Sequence, residues 1–502
     1  MVTELLLLGG HALLASTLSL YGLHRLWLTS RYWRTRRQAP TLTTLEERAL
    51  PLVTVQLPVY NERYVITRLI DAAAALDWPR DRLELQILDD SDDDTTPLAE
   101  AAAARHRAKG LDVTVLRRPD RQGFKAGALA WGLSRAKGSI IAIFDADFVP
   151  PADFLRRAVP ALGPEIGMVQ ARWTHLNEGE SWLTRVEAML LDGHFVIEHA
   201  ARARSGRWFN FNGTAGLWRR EAIHDAGGWQ GDTLTEDLDL SYRAQLVGWR
   251  FVYLPDLAVP AELPGDILAF KSQQRRWAKG SIQTAKKLLP RLWRSPAPWP
   301  VKLEATAHLC ANLAYPLVLL LSVITPLAAI QRVGHPLVEP LHAVFFTVAM
   351  TSLSVFYGVS AGATHNDWAR RLGRVPWAMA LGAGMAVNQS RAVFEALFGE
   401  VGAFVRTPKR GESGGAVDTP WAATAAPSLR SPSAWGSSSA PSPACSPGPG
   451  ARRRCWRCLA WATCGWAWAA SARRRPRSRW WPPKLRQPGE RLIDGERPRR
   501  DG

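Results

Sequence analysis

The chain has 502 residues, of which 47% are hydrophobic and 22% are charged, and its formal net charge is +18. This length is enough for two or three domains, and the composition excludes a wholly disordered or fibrous protein. The charge is unevenly placed, because residues 411–502 hold 16 Lys and Arg but only 6 Asp and Glu, and so supply +10 of the +18. The high charge is therefore a property of the C-terminal tail, and it is poor evidence for a nucleic-acid partner.

Residues 1–40 predict a membrane-spanning helix with a basic flank. Residues 5–23 contain no Asp, Glu, Lys or Arg, and a basic cluster follows them at Arg31, Arg34, Arg36 and Arg37. This length is close to the ~20 residues that a bilayer-spanning helix requires. A cleaved signal peptide is the alternative, but the chain begins Met-Val-Thr-Glu, without a basic n-region. The basic cluster predicts that the residues after it lie in the cytoplasm.

Residues 301–410 predict further membrane segments. Two stretches, 305–331 and 340–366, have no Asp, Glu, Lys or Arg, and the short linker between them suits an external hairpin. The loop after them is basic, which is typical of a cytoplasmic loop. Residues 375–398 are apolar but are interrupted by Asn388, Gln389, Arg391 and Glu395. They predict an amphipathic helix on the inner membrane face, with a fourth span as the alternative.

Residues 41–300 alternate between strand-like and helix-like sequence. The predicted strands are 52–57, 83–88, 113–116 and 140–144, the first of them closed by Pro58, and the predicted helices are 64–76, 99–109 and 127–137. Strands separated by helices predict a largely parallel sheet with crossover connections. In open sheets of this kind, ligands bind at the carboxyl ends of the strands.

Carboxylates follow two of these strands. Asp89 and Asp90 come after the second strand, and Asp145 and Asp147 come after the fourth. Residues two apart in an extended chain face the same way, so Asp145 and Asp147 could address one divalent cation. The alternatives are exposed strand-end aspartates without a ligand and, for residues 89–95, capping of the next helix. We expect a metal-assisted phosphate site rather than an apolar pocket.

Two motifs later in the domain also carry chemically useful side chains. Glu236 and Asp237 begin a predicted helix, where a carboxylate is either a partner of the helix dipole or a general base. Gln273, Arg276 and Trp277 combine amide, guanidinium and indole groups. This combination suits a phosphate and a sugar ring, or alternatively a basic amphipathic stretch at a membrane.

Taken in order, these motifs resemble the catalytic domain of processive family 2 glycosyltransferases, the cellulose synthase-like group, and most closely plant mannan synthases and their bacterial relatives. The matching segments are LPVYNE (57–62), LDDS (88–91), FKAGAL (124–129), FDADF (144–148), FNGTAG (211–216), TED (235–237), QxxRW (273–277) and RTPK (406–409). Asp92 stands where these relatives usually have Thr, and we expect little consequence. The resemblance covers about residues 1–410 and implies an α/β, Rossmann-like GT-A catalytic domain at 41–300 on the cytoplasmic side, with transmembrane helices on both sides.

The resemblance also implies how the donor binds. Asp90, perhaps together with Asp89, and Asp145 would hold the nucleotide, and Lys125 would lie near its phosphates. Lys125 could equally be a solvated lysine after a turn. Asp147, with Asp145, would hold the Mg²⁺ or Mn²⁺ that bridges the diphosphate.

A second set of roles concerns the acceptor. Asp237 would deprotonate the acceptor hydroxyl for in-line attack at the anomeric carbon, which gives inversion. Glu236, Gln273, Arg276 and Trp277 would hold the diphosphate and the terminal acceptor sugar. Leaving-group neutralisation, a base and orientation are what such a transfer needs.

The tail, residues 411–502, does not continue the family pattern. It is rich in Ala, Pro, Ser, Arg and Trp without strand or helix periodicity, which predicts disorder. A zinc site is disfavoured, because the tail has only one C-x-x-C pair, Cys455 and Cys458, and no His. The abrupt change of composition motivates the hypothesis that this stretch is translated out of frame, which the gene sequence would test.

The leading functional hypothesis is a multi-pass, inner-membrane enzyme that moves a hexose from a nucleotide-sugar, UDP-glucose or GDP-mannose, to the end of a growing β-linked polysaccharide. The alternative is a lipid glycosyltransferase that adds one sugar to a diacylglycerol-type acceptor. An inactive nucleotide-binding membrane scaffold is disfavoured because Asp147, Asp237 and Arg276 are all present. The predicted partners are therefore the donor, a polysaccharide or lipid acceptor and the bilayer, with no nucleic acid.

Overall fold

The structure is a computed structural model that describes residues 2–44, 46–331, 338–399 and 402. The predictions for the tail at 411–502, for residues 332–337 of the linker 332–339 and for the segment 406–409 lie outside the described residues. The bounds of the predicted domains at 1–40, 41–300 and 301–410 remain predictions.

The described residues form one seven-stranded mixed sheet in the order β3-β2-β1-β4-β6-β5-β7. Its strands are β1 (Val53–Val59), β2 (Leu83–Asp89), β3 (Asp112–Leu116), β4 (Ile140–Ile143), β5 (Ile166–His175), β6 (Gly216–Arg219) and β7 (Arg250–Ala261). The first four strands are parallel to one another, β6 runs antiparallel to both of its neighbours, and β7 is parallel to β5. The sheet is therefore parallel in the half that sequence predicted and mixed in the other half.

The helices flank the sheet and extend beyond it. Around the sheet lie α2 (Ile66–Ala74), α3 (Thr95–Arg107), α4 (Phe124–Leu133), α5 (Phe154–Ala158), α6 (Trp182–Asp192), α7 (Ala200–Arg204), α8 (Arg220–Asp225) and α9 (Glu236–Leu246). The remaining helices are α1 (Val2–Thr35), α10 (Ile267–Arg294), α11 (Trp299–Leu309), α12 (Ala314–Gln331), α13 (Val338–Thr364), α14 (Trp368–Leu372) and α15 (Val375–Phe398). A π-helical segment, Gly193–His199, joins α6 to α7.

The two faces of the sheet are both covered, as the apolar sequence of its central strands requires. Successive residues of a strand point to opposite faces. Accordingly, Ala142 and Phe144 belong to one buried cluster, while Ile141 and Ile143 belong to another that includes Trp218. Because both faces are packed, the carboxyl edge of the sheet is left as the place for a ligand.

The predicted strands agree with the observed ones to within two residues, with one instructive difference. β1 continues through Pro58 to Val59, where the sequence predicted that Pro58 would close it. Pro58 stands opposite Leu88 of β2 and keeps the strand extended for one residue more. This extension carries Tyr60 to the edge of the sheet, where it lines the cleft described below.

Among the described residues, one helix, Ala343–Thr364 within α13, is long and apolar enough to cross a membrane. The bent pair Trp299–Leu309 and Ala311–Leu327, whose halves meet at 50°, makes a second if it is one span. These two overlap the predicted spans at 340–366 and 305–331. The predicted first span, residues 5–23, is helical as part of α1 but is not among these candidates.

The helix predicted to lie on the membrane face, α15, packs against α10. Arg275 donates to both oxygens of Glu395, at 2.6 Å each. The side-chain amide of Gln389 donates to the backbone carbonyl of Gln274 at 3.0 Å. The side-chain amide of Asn388 also donates to the backbone carbonyl of Lys271, so three of the four polar residues that interrupt α15 are bonded to the helix that carries the QxxRW motif.

Candidate active site

A cleft opens at the carboxyl ends of β1, β2 and β4, the edge at which ligands bind in sheets of this class. Nine of the ten predicted site residues line it: Asp90, Lys125, Asp145, Asp147, Glu236, Asp237, Gln273, Arg276 and Trp277. They come from stretches of chain that lie more than 180 residues apart in sequence, from Asp90 to Trp277. The fold thus brings the predicted residues together, while their individual roles remain predictions.

Asp89 is the tenth residue, and the structure places it outside the cleft. Its side chain is buried, with the residue 1% exposed. One oxygen accepts from the backbone N–H of Ser91 at 2.9 Å, and the other accepts from the hydroxyl of Thr96 at 2.6 Å. Both oxygens are thus used to hold the turn between β2 and α3. The expectation that Asp89 helps to bind the nucleotide is not supported by this position.

Asp90 lines the cleft, but its carboxylate is already paired. Arg118 donates from Nε to Oδ1 at 2.8 Å and from Nη2 to Oδ2 at 2.6 Å, and the two side chains are 7% and 8% exposed. This two-pronged geometry is the strongest that a carboxylate and a guanidinium can form. No sequence pattern pointed to Arg118, which lies 28 residues after Asp90.

The D-x-D motif follows β4 and is fixed at both ends. The backbone N–H of Asp145 donates to the hydroxyl of Thr214 at 2.8 Å, and Lys125 donates to its carboxylate at 2.5 Å. Asp147 is nearly buried, with 6% exposure, and it faces the cleft. Just beyond it, the backbone N–H of Val149 donates to the carbonyl of Pro260 in β7 at 3.0 Å. The loop is therefore held between the segment that precedes β6 and strand β7.

Lys125 bridges the two groups of carboxylates. Besides Asp145, its ammonium donates to the backbone carbonyl of Gly213 at 2.9 Å and lies 3.9 Å from a carboxylate oxygen of Glu236. Burial alone would lower the pKa of Lys125, but the carboxylates of Asp145 and Glu236 outweigh it and raise that pKa. The lysine is therefore charged at neutral pH, and it is not the solvated side chain of the alternative interpretation.

Glu236 and Asp237 form the first turn of α9, whose N-cap is Thr235. Burial, followed by the neighbouring Glu236 carboxylate, raises the pKa of Asp237 to about 7, although Lys125 opposes this. Burial also raises the pKa of Glu236. A carboxylate with a pKa near the working pH is suited to accept a proton from a hydroxyl and later to release it.

Gly213 makes this arrangement possible. Its φ is +81°, a conformation that favours glycine. A Cβ at this position would lie 3.0 Å from Oδ2 of Asp237 and 3.3 Å from Nζ of Lys125. The glycine of the FNGTAG segment therefore lets the backbone pass directly beside the carboxylate and the ammonium.

The QxxRW motif lies on α10, which crosses the N-terminus of α9 at close range. A Cβ on Gly280 would lie 2.5 Å from the side chain of Thr235, so only glycine allows this approach. Burial lowers the pKa of Arg276, while the carboxylates of Glu236 and Asp145 act in the opposite direction. Arg276 is thus within electrostatic reach of both carboxylate pairs. Gln273 and Trp277 line the same wall.

The cleft also contains a cation–π pair whose two residues are not among the predicted site residues. The guanidinium carbon of Arg121 lies 3.3 Å from the ring centroid of Tyr60, and both residues line the cleft. Such a stack is favourable by about 0.5–2 kcal/mol and presents a flat surface. Tyr60 belongs to the LPVYNE segment and could have been noticed, whereas nothing in the sequence marks Arg121.

The charge balance of the cleft fits a divalent cation. Its described lining contains seven Asp and Glu side chains against three Lys and Arg, an excess that disfavours a diphosphate unless a further cation is present. No group of three or more His, Cys, Asp and Glu placed to hold a metal ion occurs in the described residues. Mg²⁺ is usually held by one or two carboxylates together with substrate phosphates, and Asp145 and Asp147 both line the cleft.

The fold and the cleft define an α/β glycosyltransferase of the GT-A-like class with a mixed sheet. The structure resembles the mannosyltransferase PcManGT from Pyrobaculum calidifontis, which was solved in complex with GDP-Man and Mn²⁺. The TM-score is 0.56 at 22% identity, over 77% of this chain and 99% of that one. At this identity the likeness concerns the fold alone.

The sequence comparisons show the family. Residues 51–280 match the family model "Glycosyltransferase like family 2". The chain is 35% identical over 393 residues to glucomannan 4-beta-mannosyltransferase 9 of Arabidopsis thaliana, covering 70% of this chain and 72% of that one. It is 46% identical over 251 residues to glucomannan 4-beta-mannosyltransferase 2 of the same plant, and that match spans 49% of this chain and only about half, 47%, of the relative. The protein belongs to the family 2 glycosyltransferases, in the cellulose synthase-like group.

Proposed function

We propose that the protein is a membrane-bound, inverting glycosyltransferase that transfers a hexose from a nucleotide-sugar to the end of a β-linked polysaccharide. The observation that carries the proposal is the meeting of Asp145, Asp147, Asp237 and Arg276 in one cleft. The mannosyltransferase activity in the names of the plant relatives and the GDP-Man bound to the structural neighbour favour mannose as the sugar and GDP as its carrier, with UDP-glucose as the second candidate.

In this proposal the sheet edge binds the donor. Asp90 and the Tyr60–Arg121 stack contact the nucleoside, and Lys125 and Arg276 neutralise charge on the diphosphate as the bond to the sugar breaks. Asp145 and Asp147 would hold Mg²⁺ or Mn²⁺, which supplies further neutralisation of the leaving diphosphate.

The proposed base, Asp237, belongs to the first turn of α9 and lies beside Gly213, close to Lys125. Asp237 removes the proton of the acceptor hydroxyl as its oxygen attacks the anomeric carbon from the face opposite to the diphosphate, which inverts the configuration there. Trp277 offers a flat apolar face to the terminal acceptor sugar, and Gln273 and Glu236 orient its hydroxyls. Burial of the site keeps water from competing with the acceptor.

Membrane association is part of the proposal. It is supported by the candidate span Ala343–Thr364, by the bent pair at 299–327 and by the basic flank of α1 at its C-terminal end. With the catalytic domain on the same side as this basic flank, the donor would be taken from the cytoplasm.

The test is a donor panel. Membranes that contain the full chain are incubated with labelled GDP-mannose, UDP-glucose and other GDP- and UDP-sugars, with Mg²⁺ or Mn²⁺, and the products are separated by solvent extraction and linkage-specific hydrolases. We expect label from GDP-mannose in a polymer that organic solvent does not extract. Label confined to an extractable glycolipid would replace this proposal with a lipid glycosyltransferase, and no transfer from any donor would refute both.

A further inference from the structure

A single buried guanidinium joins the end of β2 to the loop that precedes α4. In addition to its two bonds to Asp90, Arg118 donates from Nη1 to the backbone carbonyl of Gln122 at 2.6 Å and from Nη2 to that of Phe124 at 2.7 Å. Four hydrogen bonds from one side chain thus connect the nucleotide side of the cleft to the residue just before Lys125. Arg118 itself does not line the cleft among the residues that the structure places there.

The loop that Arg118 holds has an unfavourable backbone. Gly123 has φ +72° and Phe124 has φ +49°, so two consecutive residues adopt the left-handed conformation. For a residue with a bulky side chain such as Phe124, this conformation persists only where the surroundings impose it. The bond from Arg118 to the carbonyl of Phe124 is such a constraint, and Lys125 follows directly.

The side chain of Arg118 also explains why the last residue of the FKAG segment, Gly127, is a glycine. A Cβ on Gly127 would lie 2.3 Å from Nη1 of Arg118 and 2.0 Å from the carbonyl oxygen of Gln122. Gly127 therefore leaves the space in which the guanidinium reaches the loop. Arg121, which stacks on Tyr60 in the cleft, belongs to this loop as well.

We propose that Arg118 is a positioning residue for donor binding: it fixes the carboxylate of Asp90 and, through the carbonyls of Gln122 and Phe124, places Arg121 and Lys125 in the cleft. The inference rests on the proposed function, because it assigns these cleft residues to a nucleoside diphosphate. Arg118 does not line the cleft itself, so it acts through the residues that it places. Loss of this placement weakens donor binding, and it also slows the transfer because Lys125 neutralises the departing diphosphate.

Lysine cannot replace arginine in this role. A guanidinium presents five N–H donors in a planar fork, whereas an ammonium has three donors around one point and cannot bond to Asp90 and two carbonyls in these directions. We expect Arg118→Lys to raise the KM for the donor and the Kd for a nucleoside diphosphate about tenfold or more, and to lower kcat at saturating donor several-fold because Lys125 is displaced as well.

The experiment uses the full chain in native membranes or detergent. Binding of GDP and of UDP is titrated with Mg²⁺ present, and KM and kcat are measured with the best donor. The matched control is Arg135→Lys, since Arg135 lies just after α4, is exposed and bonds only locally to Trp131 and Ser134. We expect this control to bind and to turn over like the wild type.

A second variant separates positioning from simple charge neutralisation. In the double variant Arg118→Gln with Asp90→Asn, no buried charge is left unpaired, so the protein is expected to fold. If Arg118 positions the loop, this double variant binds the nucleoside diphosphate more weakly than the single variant Asp90→Asn does. If the affinity returns to that of the single variant Asp90→Asn measured alongside, the arginine merely neutralises Asp90 and the proposal is wrong.

Failure of this inference is distinguishable from failure of the proposed function. If the wild type binds GDP or UDP but transfers no sugar, the proposed function fails, while the binding comparison still decides the role of Arg118. If Arg118→Lys is folded and both its Kd and its KM equal those of the wild type, Arg118 is not a positioning residue, whatever the enzyme makes.

Discussion

On the strand side of the cleft, each carboxylate that contacts a cation does so at short range, as Asp90 does with Arg118 at 2.6 Å and Asp145 does with Lys125 at 2.5 Å. On the α9 side, Glu236 is 3.9 Å from Lys125, and burial raises the pKa of both Glu236 and Asp237. The difference shows how one fold places carboxylates in two settings: some are paired with a cation at short range, and others are buried so that their pKa is raised, to about 7 for Asp237. The strand side suits charge binding, and the α9 side suits proton transfer.

The largest expected effect comes from removing the base. Asp237→Asn keeps the shape of the side chain and its acceptor oxygen but cannot take a proton, so the transfer rate is expected to fall by about 10²–10⁴-fold. Binding of the nucleoside diphosphate is expected to persist. Initial rates and a GDP or UDP titration measure the two properties separately.

Stability provides the control for this variant. Because the pKa of Asp237 is raised in the folded state, its ionised form is less favourable there than in the unfolded chain, so ionisation destabilises the fold increasingly as the pH rises from about 4 towards 7. Asp237→Asn should therefore unfold at a temperature no lower than the wild type at pH 8. Transfer at the wild-type rate would exclude Asp237 as the base.

The second-largest effect is expected in the dependence of the transfer rate on pH. Since Asp237 must be deprotonated to act, the rate at saturating donor is expected to fall about tenfold per pH unit below about 7 and to level off above it. Glu236→Gln removes the neighbouring negative charge that raises the pKa of Asp237, so the midpoint should move to lower pH. A profile that is flat between pH 5.5 and 8, or a midpoint that does not move in Glu236→Gln, would contradict the assignment of this midpoint to Asp237.

The smallest effect is expected from filling the space between Gly213 and the side chains of Asp237 and Lys125. Gly213→Ala places a methyl group 3.0 Å from Asp237 and 3.3 Å from Lys125, at a φ of +81°. Gly110→Ala is a matched control, since Gly110 has a φ of +80° and nothing within 4 Å of the added methyl. Both variants should lose about 1–2 kcal/mol of stability from the left-handed backbone, seen as a lower unfolding temperature.

Only Gly213→Ala should also affect the chemistry. We expect its kcat to fall several-fold, because the methyl group displaces the carboxylate or the ammonium by a few tenths of an ångström. Equal kcat values in the two alanine variants would mean that the contact at Gly213 has no part in catalysis.

The sequence predicted the parallel half of the fold well, for a physical reason. β1, β2 and β4 are buried on both faces and therefore appear as short apolar runs, whereas the predicted bounds of α2, α3 and α4 differ from the observed ones by up to four residues. β5 and β7 are longer and pair with two register irregularities, and β7 contains Pro255 and Pro260. Irregular strands of this kind have no simple periodicity, and the antiparallel direction of β6 depends on a connection that sequence does not reveal.

The candidate site could be predicted as a set of residues but not as a set of contacts. Asp89 and Asp90 are adjacent and chemically identical, and only the fold shows that Asp89 faces the turn before α3 while Asp90 faces the cleft. Arg118 and Arg121 stand among several arginines in a loop, where a single sequence offers nothing to distinguish those with buried partners from the rest. Side-chain direction, rather than residue type, was the missing information.

Helix α10 connects α15 to the wall of the cleft. Its segment 274–287 is held on one side by α15, through Arg275 and Glu395, and on the other by the start of α9, where Gly280 contacts Thr235. Between these contacts, Arg276 and Trp277 reach the cleft. Any sideways displacement of α15 must therefore also shift Arg276 and Trp277, so the packing of a helix outside the catalytic sheet is mechanically linked to the geometry of the cleft.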